Sequence, residues 1–127
     1  MAITPTLRFE DLAAAVALYT GPLGFTVERG AADEGNVAVA RGDNRLMLEG
    51  AGAFYGDEYN AAIGERLGSR NPGALYVEAE DLDELYAAVR EAGLRVVDPV
   101  GDRPWGQTEF TVEDGEGNWL SFWRRLG

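Results

Sequence analysis

From its N-terminal end the chain alternates. "ITPTLRF" sets Ile3, Pro5, Leu7 and Phe9 against Thr4, Thr6 and Arg8, and a period of two predicts a strand with one buried face. At "DLAAAVALYT" the period lengthens: Asp11 caps a helix in which Leu12, Val16 and Tyr19 mark the buried stripe and the alanines supply propensity. "GPLG" stops it. Three short strands follow, "FTVERG", "NVAVARG" and "RLMLEG", the last two joined through the turn residues Gly42, Asp43 and Asn44. The first half therefore reads strand, helix, strand, strand, strand.

The second half repeats this order. "ALYVEAEDLDELYAAVREAGLRVV" lays over "LRFEDLAAAVALYTGPLGFTV", so that Asp81 and Leu82 answer Asp11 and Leu12, and Gly93 answers Gly24. The strands "TEFTVED" and "WLSFWRR", joined by the glycine turn "GEGN", complete it. A repeat of this length implies two similar modules packed together. The expected organisation is one domain, with a first module over 1–50, a connecting segment over 51–72 and a second module over 73–127. Within the connection, Asp57 to Leu67 reads as a short helix that Gly68 stops, a lid or a wall segment.

Composition narrows the function classes. Lys+Arg 11 against Asp+Glu 22 gives a net charge of -11, a surface that repels nucleic acid and anionic membrane and attracts cations. With no cysteine and no histidine, there is no disulfide, no thiol nucleophile and neither the commonest metal ligand nor the commonest general base. Neither a signal-type N-terminal segment nor an apolar run of spanning length is present, so a soluble, cytoplasmic protein is expected.

The paired modules, the "DL" before each helix, "LGF" at Leu23 to Phe25, and the "PWGQTEF" and "DGEGN" turns together resemble the vicinal oxygen chelate superfamily. This is the glyoxalase, bleomycin-resistance and extradiol dioxygenase group, and the bleomycin-resistance branch is the nearest in likeness. Its usual turn has proline and aspartate where this chain has Gly115 and Glu116. The resemblance implies an α+β fold of two βαβββ modules, each a half-open curved sheet with its helix on the convex side and a ligand cavity on the concave side. It also implies a homodimer, and pairing between chains would cover strand edges. The ligand positions of its metal-dependent members fall here on Thr4, Ala74, Ser121 and either Met47 or Glu49. Such a set cannot hold a catalytic metal, so no metal and no cofactor is expected.

Strand parity then says what faces the cavity. Thr4 brings Thr6 and Arg8; Ala74 brings Tyr76 and Glu78; Ser121 brings Trp119 and Trp123. Glu109, Thr111 and Glu113 turn inward as well, while Leu75, Val77, Ala79, Phe110, Val112, Leu120 and Phe122 turn to the core. Trp105 of the "PWG" loop, Met47 and Glu49, and Phe54 and Tyr55 of "GAGAFYG" complete the candidate contacts. A lining both aromatic and acidic suits a planar cationic molecule, since an aromatic face attracts a cation by about 0.5–2 kcal/mol. Alternatively, Trp119 and Trp123 cover a dimer interface or a wet sheet edge.

Other signals are weaker. "GAGAFYG" has the wrong spacing for a dinucleotide loop, and Glu109 and Glu113, roughly 13 Å apart at a strand's rise, are too distant for a glycosidase-type pair. Two functions from different classes remain. One is a metal-independent protein that sequesters a cationic aromatic antibiotic or metabolite without turnover. The other is a metal-free isomerase, lyase or hydrolase acting on a small natural-product intermediate, using Glu49, Glu78, Glu109 or Glu113 as base. The first is favoured.

Overall fold

The computed structural model describes residues 3–51, 56–67 and 74–126. Among these, two four-stranded sheets form, and they repeat one order. The first runs β1-β4-β3-β2, from β1 (Thr6–Arg8), β2 (Thr26–Ala31), β3 (Asn36–Arg41) and β4 (Asn44–Glu49). The second runs β5-β8-β7-β6, from β5 (Ala74–Glu78), β6 (Arg95–Arg103), β7 (Gln107–Glu113) and β8 (Trp119–Arg125). In each, the first strand lies parallel to the last and the other pairings are antiparallel. The parallel step is made possible by helices α1 (Leu12–Thr20) and α3 (Leu82–Glu91), which carry the chain across. Helix α2 (Asp57–Leu67) stands in the connection. This is the α+β arrangement of two βαβββ modules.

The repeat in the sequence has a backbone cause. Gly24 and Gly93 both have φ +77°, a left-handed conformation that a side chain resists. Each sits where the chain leaves a helix and turns back into the sheet, and Leu23 and Leu94 donate to carbonyls of the preceding helix, Leu18 and Val89. At the other end of α1, Asp11 Oδ1 accepts from the Ala14 amide at 3.0 Å, satisfying one of the helix's unpaired donors.

Two local expectations are corrected. The first strand begins at Thr6 rather than Ile3, and Ile3 is 94% exposed; Pro5 has no N–H for the ladder, although its carbonyl still accepts from Met47 at 2.9 Å. The buried stripe of α1 is Leu12, Ala15 and Tyr19, with Val16 half-buried at its margin. The small Ala15 and the bare Gly50, where a Cβ would lie 3.1 Å from that of Leu12, let helix and sheet approach closely.

One hydrophobic core serves both modules. Phe9, Tyr19, Phe25, Val37 and Leu48 from the first join Leu82, Val89, Phe110, Leu120 and Phe122 from the second. The modules also clasp one another reciprocally. The β7–β8 turn reaches the start of α1: Glu116 accepts from the amides of Glu10 (2.8 Å) and Asp11 (3.1 Å), and Asp114 accepts from the buried Tyr19 hydroxyl at 2.9 Å. The β3–β4 turn reaches the start of α3: Arg41 binds Asp81 at 2.8 Å and Asn44 Nδ2 donates to the Glu78 carbonyl at 3.2 Å. Because the core faces of both sheets are turned toward α1 and α3, their opposite faces look away from the shared core.

Candidate functional site

On the outward-looking face of the second sheet, register sets the inward-parity residues into a grid. Trp119 stands between Ala74 and Glu113, Ser121 between Tyr76 and Thr111, and Trp123 between Glu78 and Glu109. Neighbours across strands sit close enough for side chains to touch, and here they do. Ser121 and Thr111 hydroxyls lie 2.6 Å apart at the centre. At one end, Trp119 Nε1 donates to Glu113 at 3.1 Å, and Arg95 lies 3.3 Å from the same oxygen. Glu78 is exposed and Trp123 half-buried.

The other end is built differently. Glu109 is 4% exposed, yet among the described residues no arginine reaches it. Its Oε1 accepts from Trp105 Nε1 at 2.8 Å and from Gln107 Nε2 at 3.2 Å, while the Tyr76 hydroxyl is 3.4 Å from Oε2. Trp105 comes from the turn between β6 and β7, which is pinned from both sides: Gly106 donates to the Arg103 carbonyl at 3.1 Å and accepts from the Leu126 amide at 3.0 Å. Around this buried carboxylate the rings stay open to solvent, Tyr76 at 64% and Trp105 at 61%. A buried charge ringed by neutral donors is costly unless a cation completes it.

On the first sheet, Met47 pairs with Thr6 and Glu49 with Arg8, so both β4 residues share the face that carries Thr6 and Arg8. Glu49 is buried and engaged. Arg8 Nη1 binds it at 3.1 Å, the Tyr59 hydroxyl lies 3.0 Å from each of its oxygens, and Arg8 Nη2 donates to Asn60 Oδ1 at 2.6 Å. With the Arg8 guanidinium 5.6 Å from the Tyr59 ring centroid, this cluster fastens α2 across the face. The set around Glu49 and the set around Glu109 lie on different sheets, and the described polar contacts of each stay within its own half of the chain. Phe54 and Tyr55 lie outside the described residues.

The metal positions drawn from the resemblance do not fit a metal. Ala74 has no donor, the Ser121 hydroxyl is paired with Thr111, and Glu49 is already held by Arg8. Among the described residues, no group of three or more carboxylates, histidines or cysteines gathers. Zinc sites, structural or catalytic, take three or four such ligands.

The model of the glyoxalase/bleomycin resistance protein/dioxygenase superfamily matches residues 3–122. The chain belongs to this superfamily. Its fold is similar to that of TioX from Micromonospora sp. ML1, with 23% identity and a TM-score of 0.76 over 100% of this chain and 98% of that one. UcmS2 follows with 27% identity and a TM-score of 0.71 over 97% and 98%. A bleomycin resistance determinant encoded on the transposon Tn5 shares 21% identity with a TM-score of 0.68 over 98% of each chain. No curated protein matches this sequence. Within the superfamily frame, sequence reasoning missed Gln107, Tyr59 and Asn60. Gln107 was within reach, because it continues the parity of Glu109, Thr111 and Glu113 along one strand.

Proposed function

We propose that the protein is a metal-independent binder of a cationic aromatic small molecule, an antibiotic or metabolite that it sequesters in the cytoplasm without turnover. The observation that carries this reading is Glu109: a buried carboxylate, contacted only by neutral donors among the described residues, at the foot of Tyr76, Trp105 and Trp123. The rings offer a cation flat faces and the carboxylate offers it a counter-charge. The bleomycin resistance determinant among its structural neighbours is in keeping with a sequestering role. The reading includes a homodimer. Exposed aromatic rings on the second sheet suit a cavity closed by a second copy.

A thermal-shift screen tests it directly, because a ligand that binds only the folded state at 100 times its Kd adds about 2.7 kcal/mol of apparent stability. Planar cations are expected to raise Tm, quench tryptophan fluorescence and be recovered unchanged, with the protein running as a dimer in light scattering. Neutral aromatics raising Tm as much as cations of equal size, or a product appearing in the recovered ligand, would refute it.

A further inference from the structure

The two oxygens of Glu109 are not equivalent. A carboxylate is acceptor-only, with about two lone-pair sites on each oxygen. Oε1 has both of its sites taken, by the Trp105 indole N–H at 2.8 Å and the Gln107 amide at 3.2 Å. Among the described residues, Oε2 has only the Tyr76 hydroxyl at 3.4 Å, long for an O–H···O contact. With the residue 4% exposed, the acceptor capacity left over lies on that one oxygen. Guanidinium and amidinium groups gain their advantage by gripping both oxygens of a carboxylate in parallel. That grip is denied here unless Trp105 or Gln107 lets go.

We infer that the site selects a ligand whose cationic group is an ammonium, a protonated amine beside an aromatic ring, over one bearing a guanidinium or amidinium. This rests on the reading of the second sheet as the binding face. A single N–H directed at Oε2 completes the carboxylate, and the alkyl carbon bearing the nitrogen packs against Trp123, the cross-strand neighbour of Glu109. Trp105 and Gln107 act as positioning residues that hold Oε1 occupied and set the headgroup preference.

Calorimetric titration with three probes of one ring system tests this: 2-naphthylmethylammonium, 2-naphthamidinium and the neutral 2-naphthylmethanol. The wild-type protein is expected to bind the ammonium about tenfold more tightly than the amidinium, since the amidinium must displace one existing hydrogen bond to use both oxygens. In the double variant Trp105→Phe, Gln107→Leu, with the fold checked by circular dichroism, the preference is expected to vanish or reverse. Gln107→Leu alone should move it in the same direction if the double variant does not fold. Both cations binding more tightly than the alcohol, with a preference that is absent or unmoved by the substitutions, overturns the inference and leaves the cation-binding reading standing. Neither cation exceeding the alcohol overturns both.

Discussion

Replacing Glu109 by glutamine should separate ligand binding from folding. The substitution keeps the shape and lets the new amide oxygen go on accepting from Trp105 and Gln107, while its NH₂ turns to the Tyr76 hydroxyl, which can accept. One N–H of the new amide has the Tyr76 hydroxyl as acceptor, and the cost of the second is offset because the cost of holding a charge at a 4% exposed position disappears. Stability should therefore change by less than about 1 kcal/mol in urea unfolding. A cationic ligand loses a charge-assisted hydrogen bond worth about 1.5–3 kcal/mol. That is a weakening of roughly 10- to 150-fold by the usual conversion of free energy to affinity. A neutral aromatic of the same size should bind as before. Tryptophan-fluorescence titrations with the matched pair give both numbers on one sample. Equal losses for the two ligands, or a urea midpoint falling by the equivalent of 2 kcal/mol or more while cation affinity holds, would show that the carboxylate belongs to the scaffold.

Four further outcomes are expected. Trp123→Ala should weaken a planar cation by about 1–3 kcal/mol with the fold retained; dissociation of a dimer at unchanged affinity, seen by light scattering, would assign the indole to an interface. Phe122→Ala, on the opposite face of the same strand and 0% exposed beside Phe110, should cost about 3–5 kcal/mol in chemical denaturation and leave the ligand preference alone. Burial, then the charge and hydrogen bond of Asp114, push the Tyr19 hydroxyl well above the ordinary tyrosine range. The folded state thus keeps a proton that the unfolded chain releases near pH 10, so the stabilisation is complete below that pH and is lost as pH rises above it, by about 1.4 kcal/mol per unit; Tyr19→Phe should remove one proton's worth of that slope. Elemental analysis of the purified protein should find no stoichiometric transition metal, and about one zinc, iron or manganese per chain, lost with function on chelation, would contradict the reading of the donor set.

Alternation and repetition made most of the frame legible. Through the middle of β7 and β8 one parity is large and apolar, so Phe110, Val112, Leu120 and Phe122 could be sent to the core from the sequence alone, and that assignment carries Glu109, Thr111, Trp119 and Trp123 to the other face. The doubled "DL" and the paired glycines marked the two crossovers. What parity does not encode is who meets whom across space. Tyr59 and Asn60 lie on a helix whose placement depends on Arg8 and Glu49, more than forty residues apart in the case of that pair, and no local pattern announces the meeting. Nor did the stripe of α1 follow from hydrophobicity, because a helix apolar on nearly every position has no single face to choose; the structure buries Leu12 against Gly50 and, with it, Ala15 and Tyr19. The difference between the two oxygens of Glu109 is further from reach still, since it depends on where a turn lets Trp105 fall.

Helices α1 and α3 each belong to one half of the chain and are met at their heads by the other. Glu116 answers amide donors at the approach to α1, and Arg41 answers the aspartate that opens α3. Cut apart, either half would expose its share of the common core together with unanswered polar groups at the head of its helix. The two modules, alike as they are, therefore cannot melt in sequence as beads on a string would. Heat or urea should take them together in one transition, and two separately expressed halves should remain disordered until mixed, each serving as the other's folding template.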